Sequence, residues 1–163
     1  MRASGSDPVR LRQDREARSI PRLLAFLGGV ILLPAAQAQA DIFDRLTGTF
    51  GAPDTVGLRC HENPHTITFS ADRGRSVFRW SGEIIDYLGG LRIAGEYMVH
   101  AHDAASITMQ ITDEQRRTRE GEPVVWILRE VTEPDGYCWG RTDWPASRCE
   151  GFHKRCVGDV PSS

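Results

Sequence analysis

From residue 65 onward, apolar residues fall at every second position in short runs, and each run ends in turn-forming residues. His65-Thr66-Ile67-Thr68-Phe69-Ser70 sets Ile67 and Phe69 on one face and the threonines and Ser70 on the other. Ser106 to Thr112 does the same with Ile107, Met109 and Ile111, and Ser76 to Ser81 brings Phe78 and Trp80 together. Successive side chains of an extended strand point to opposite faces, so this period of two predicts half-buried strands. Leu91 to His100 (with Tyr97 and Val99 on one side), the very apolar Pro123 to Val131, and Tyr137 to Arg141 add three more. Val56 to Cys60 is expected to supply the first. Asn63-Pro64, Asp72-Arg73-Gly74, Gly89-Gly90, Glu120-Gly121 and Pro134-Asp135-Gly136 supply the turns between them. The reading is an all-β chain, an antiparallel up-and-down meander of seven to eight short strands. Closure into a barrel removes exposed edges; a two-sheet sandwich is the alternative.

The first forty residues follow a different rule. Six arginines (Arg2, Arg10, Arg12, Arg15, Arg18, Arg22) precede the apolar run Leu23 to Leu33, which leads through Pro34 to Ala-Ala-Gln-Ala-Gln-Ala. A positive region, a short apolar core and an A-x-A ending make a secretory signal peptide, cleaved after Ala40 or, alternatively, Ala38. The apolar run is too short to span a bilayer, which takes about 20 residues. Residues 1–40 are therefore read as a leader and residues 41–163 as one exported β-domain, periplasmic or secreted.

The leader holds three acidic residues against its six arginines, so removing it changes the formal charge from −2 to −5. A domain of that sign has no electrostatic reason to bind nucleic acid or to insert stably into a membrane. All four cysteines, Cys60, Cys138, Cys149 and Cys156, lie in the exported part. An even count in a small exported domain implies two disulfides, and the paired C-x₂₋₄-C spacing of a zinc site is missing. Three connectivities are possible. Because Cys60 is early and the others late, one bridge must tie the start of the domain to its end.

A short N-terminal turn ending in Gly48-Thr49-Phe50, a β-meander and a C-terminal disulfide together resemble the lipocalin-like small barrels. The resemblance covers residues 45–156 in pattern. It departs at Phe50, where that group typically has tryptophan, and in having no clear C-terminal helix. It implies a barrel that binds a hydrophobic ligand or a protein.

Few residues suggest chemistry. His61-Glu62-Asn63-Pro64-His65 spells H-E-x-x-H, in which two histidines on one helical face bind zinc and the glutamate acts as base. Pro64 opposes the helix by about 3 kcal/mol and also pushes Asn63 out of helical geometry, so a loop is the better reading. His100 and His102 share one strand face, and with His61 or His65 they form a speculative metal set; a polar strand end is the plainer alternative. The loop from Asp113 to Glu122 interleaves acids with arginines and reads as a solvated hairpin tip. The C-terminal Trp139, Arg141 and Trp144 are the candidate binding residues, since tryptophan and arginine are enriched at binding hot spots. The competing reading is a disulfide-stapled loop that plugs one end of the barrel.

The expected function is that of a non-enzymatic exported binding module without cofactor. Its partner is another envelope protein or a small apolar ligand. The bulky interior candidates Phe69, Phe78, Trp80, Tyr97, Ile107, Met109 and Trp126 suggest a filled barrel, which favours the protein partner. The alternatives are a metal-dependent hydrolase on His61, Glu62 and His65, and a structural envelope component. N-terminal sequencing of the exported chain should begin at Asp41. A chain retaining Leu23 to Leu33 after export would overturn the leader assignment.

Overall fold

The four-residue strand β1 (Gly48–Gly51) pairs on one side with β2 (His65–Phe69) and on the other with β8 (Glu150–Arg155). Between them run β3 (Arg75–Ile85), β4 (Leu91–His102), β5 (Ser106–Ile111), β6 (Trp126–Thr132) and β7 (Asp135–Arg141), each antiparallel to its neighbours in chain order. The result is a closed eight-stranded up-and-down barrel, seen in a computed structural model that describes residues 40–158. The expected leader, apart from Ala40, lies outside the described residues.

In such a meander the connections alternate between the two ends. Residues 70–74, 103–105 and 133–134 turn tightly at one end. At the other end, residues 52–64, 112–125 and 142–149 form longer loops beside the β3–β4 turn at residues 86–90. The short helix α1 (Ile42–Leu46) covers the tight-turn end. Asp41 caps it by accepting from Phe43 N at 2.8 Å, and Ile42, Phe43 and Leu46 are buried beneath it. Arg45 fixes the helix to the barrel through Glu130 at 2.7 Å and the carbonyl of Ala104 at 2.5 Å.

Only two residue pairs, Phe50 with Arg155 and Gly51 with Lys154, align β1 with β8. Side chains extend this short join. Arg155 lies 4.7 Å from the Phe50 ring centroid, pairs with Asp135 at 2.8 Å, and donates to the carbonyls of Thr47 (3.0 Å) and Arg45. Gly48, at φ 141°, belongs here: a Cβ at that position would fall on the Arg155 guanidinium. One residue further on, Cys156 N donates to Thr49 O at 2.9 Å, and its side chain is bonded to Cys60. The second bridge, Cys138–Cys149, joins β7 to the residue just before β8 and lies inside the loop closed by the first.

The core runs through the barrel. Phe50, Ile67, Phe78, Ile107, Met109, Leu128 and Tyr137 are fully buried, with Tyr97 nearly so. The seven expected interior residues all belong to this cluster or pack against it.

Three strand assignments change. Val56 to Cys60 is not a strand: Leu58 N turns back to Thr55 O at 3.1 Å, Gly57 adopts φ 83°, and Gly57 N is held by Glu62 at 2.7 Å. The first strand is Gly48–Gly51 instead. A last strand, Glu150–Arg155, follows Tyr137 to Arg141; its inward residues Gly151, His153 and Arg155 are not apolar, so alternation could not reveal it. The run from Pro123 to Val131 becomes a strand only at Trp126, and its residues are mostly half-buried because one face is solvated.

The chain-entropy model gives ~4.7 kcal/mol for the Cys60–Cys156 loop and ~2.8 kcal/mol for Cys138–Cys149, from sequence separations of 96 and 11. Urea denaturation of the two paired Cys→Ser variants should therefore show the Cys60/Cys156 variant to be the less stable. An equal or reversed order would show that the join between β1 and β8 does not depend on its bridge.

Candidate functional site

The barrel is filled only in part. Its tight-turn end is closed by Phe43 of α1, edge to face with Phe69 at 5.0 Å, and deeper in the barrel Phe50 packs edge-on against Tyr137 at 5.1 Å. Toward the long loops a cavity of about 470 Å³ remains open. This corrects the expectation of a filled barrel: the large rings line space as well as occupy it. All four tryptophans of the chain (Trp80, Trp126, Trp139, Trp144) and all three tyrosines (Tyr87, Tyr97, Tyr137) line this one cavity, whereas among the described residues Phe78 is the only phenylalanine to do so.

The buried lining residues make its floor. Phe78, Tyr137 and His65 are each no more than 2% exposed. His65 Nε2 and the Tyr137 hydroxyl share a hydrogen bond. His153 stacks on Tyr137 at 4.8 Å with an interplanar angle of 12° and meets the His65 ring edge-on at 4.9 Å. Burial holds both imidazoles neutral: it pushes His65 down to about 3, with a smaller contribution from neighbouring His153, and His153 down to about 4. Burial also pushes the Tyr137 and Tyr97 hydroxyls up, so both stay protonated. His153 Nδ1 is buried without a hydrogen-bond partner.

Above the floor, rings meet at right angles or stack offset, arrangements that suit the aromatic quadrupole. Trp139 packs on Phe78 (5.4 Å), Tyr97 (5.9 Å) and Trp126 (5.8 Å). Gly95 opens part of the wall; a Cβ there would make ordinary contacts of 3.5 Å with Tyr97 and 3.8 Å with Trp80.

Arginines surround the mouth, each with a carboxylate. Glu114 has a fully buried side chain and accepts from Arg116 Nε (2.8 Å), Arg116 Nη2 (2.7 Å) and Trp126 Nε1 (3.0 Å). Burial works to raise its pKa, but these hydrogen bonds outweigh it and the carboxyl stays below its ordinary value. The Arg116 guanidinium lies 3.8 Å from the Tyr87 ring centroid and 4.8 Å from that of Trp126. Arg92 binds Asp86 and Asp113, Arg141 binds Asp143, and Arg148 binds Glu150. Each rim arginine is thus paired with at least one carboxylate, and none carries an unmatched positive charge.

The structure places the sequence candidates unequally. Trp139 and Trp144 both line the cavity. Arg141 does not; its guanidinium stacks on Trp144 (5.2 Å) and Trp126 (5.6 Å) rather than on Trp139. The H-E-x-x-H letters form no helix, and the structure does not bring their histidines together: the His61 side chain is 73% exposed while His65 points into the barrel. His100 is exposed and near Gln110 at 3.3 Å, and His102 packs on Phe43 at the opposite end from the cavity. Among the described residues no group of three or more His, Cys, Asp or Glu side chains could hold a metal ion. His65 entered the sequence reasoning only as a metal-ligand candidate, although it shares the alternating face of Ile67 and Phe69 and so belongs inside the barrel. His153 gave no such signal. Comparison with family models, with curated proteins and with solved structures gives no match.

Two neutral buried histidines make stability depend on pH. The unfolded chain takes up protons near 6.5 and the native barrel only near 3 to 4, so stability falls as pH drops through that window. By pH 5 the loss should be about 2 kcal/mol per histidine. Above pH 5 most carboxylates remain ionised in both states, so the slope there reports the histidines. Denaturant titrations at pH 7, 6 and 5 should show this decline, and His153→Phe should reduce its slope. A flat profile would show that the imidazoles are not held neutral.

Proposed function

We propose that residues 41–163 form an exported, non-enzymatic binding barrel whose ligand is a small, uncharged, largely apolar molecule held inside it. The observation that carries this reading is the gathering of every tryptophan and every tyrosine around one cavity of about 470 Å³. Ligand pockets are typically clefts of about 300–1,000 Å³, mostly apolar and aromatic, with a few convergent polar groups. Packing alone does not call for this sorting, because phenylalanine fills the closed end without a polar atom. Tryptophan and tyrosine instead offer large flat faces together with a polar edge.

The paired arginines at the rim favour an uncharged ligand, since a carboxylate entering there would have to displace Asp or Glu partners. The eight-stranded closed meander supports the lipocalin-like resemblance, in which Phe50 takes the tryptophan position and Arg155 lies over its ring. Two disulfides support residence in an oxidising compartment outside the cytoplasm, periplasmic or secreted. A second reading, contact with another exported protein at the mouth, is favoured by the exposed Ile85, Leu88, Leu91 and Ile93 on the β3–β4 hairpin.

Gly95→Leu tests the interior reading, because its Cβ is tolerated and the rest of the side chain projects toward Tyr97 and Trp80. The neutral dye N-phenyl-1-naphthylamine should bind the wild-type barrel with enhanced emission. It should bind Gly95→Leu at least about tenfold more weakly, a loss of about 1.4 kcal/mol. The melting temperature should change little. Equal dye affinity in a folded Gly95→Leu would move the binding site out of the barrel.

A further inference from the structure

Resting on the barrel-interior reading, we propose that the natural ligand is a neutral, planar ring compound with one hydroxyl group, seated with that hydroxyl toward the His65–Tyr137–His153 cluster. The shape follows from the walls. Trp80, Tyr97, Trp126 and Trp139 present flat faces and edges around the cavity, and they pair readily with another aromatic ring.

The hydroxyl follows from hydrogen-bonding capacity at the floor. A neutral imidazole has one donor and one acceptor nitrogen. His65 spends Nε2 on Tyr137, which leaves its other ring nitrogen. His153 stacks flat on Tyr137 and lines the cavity; its Nδ1 is buried without a protein partner, while its Nε2 lies on the side of Gly151, another lining residue. The cluster therefore keeps both donor and acceptor capacity unused in a place where unmet polar groups cost free energy. A hydroxyl both donates and accepts, so a single group meets both needs; a methyl group meets neither.

Charge is excluded from the same place. A carboxylate on the floor would face two neutral imidazoles and a protonated tyrosine, within a wall of rings. The arginines nearest the cavity, Arg92 and Arg116, are held by Asp86, Asp113 and Glu114. An ionised group would thus be desolvated without an opposite charge to receive it.

The test uses three probes of one shape, 2-naphthol, 2-methylnaphthalene and 2-naphthoate, with Kd measured by equilibrium dialysis against the oxidised mature chain at pH 7. The wild type should bind 2-naphthol about tenfold more tightly than 2-methylnaphthalene, the scale of one well-made hydrogen bond. It should bind 2-naphthoate most weakly. Tyr137→Phe and His153→Phe, which keep the rings, should each bring the naphthol-to-methylnaphthalene ratio close to one while the affinity for 2-methylnaphthalene stays within about twofold. Equal wild-type affinities for naphthol and methylnaphthalene, or tightest binding of naphthoate, would overturn the hydroxyl assignment, and neither result depends on a variant that folds. Binding of methylnaphthalene without a naphthol preference would leave the interior reading standing. Failure of the wild type to bind any of the three would remove that reading and this inference together.

Discussion

The fold depends on the join between β1 and β8. A meander of strands has two free edges until its first and last strands pair, and here the first strand has four residues and shares two register pairs with the last. So short a backbone ladder leaves much of the closure to side chains. Arg155 reaches the Phe50 ring, two carbonyls around the end of α1, and Asp135 at the start of β7. The Cys60–Cys156 bridge then ties the β1–β2 loop to the end of β8. Because the cavity wall includes β8 through Gly151 and His153, the site cannot exist unless this join holds.

Given closure, the barrel divides its rings by chemistry. Phe43 of α1 and Phe69 pack together at the tight-turn end, where nothing polar is needed and packing can be dense. Tryptophans, tyrosines and the two inward histidines collect toward the long loops, where polar edges remain near open space. Loops can vary in conformation and sequence more freely than the strands that carry them. The rigid wall and the variable rim are thus separate parts of one site, with the floor fixed by Tyr137, Phe78 and His65.

The sequence was most readable where one barrel face is apolar and the other wet. β2 and β5 have that character, and their alternation placed Ile67, Ile107 and Met109 inside. β1 was missed because Gly-Thr-Phe-Gly is too short to alternate, and β8 because its inward positions hold glycine, histidine and arginine. Val56 to Cys60 misled for a complementary reason: β-branched and aliphatic residues there sit in turns held by Thr55 and Glu62. Bulky residues could be assigned to the interior but not to a filled or hollow one. That distinction depends on register and on the irregularities in β3, β4 and β8, where one strand carries extra residues against its partner. Trp139 and Trp144 stood out by type alone, whereas the floor cluster required three strands to be brought side by side.

The two disulfides are nested, Cys138–Cys149 within Cys60–Cys156. If the chain is exported N-terminus first, as proposed, the nesting has a consequence for how it oxidises. Cys60 then arrives alone, and the first thiol it can meet is Cys138, the second Cys149, and only the last Cys156. Pairing in order of arrival would give Cys60–Cys138 and Cys149–Cys156, which is not the pairing found. The native pairing follows when the β7–β8 hairpin closes its own small loop first, which brings Cys138 and Cys149 together locally and removes both competitors. In that order the small local ring would remove the wrong partners of the large one.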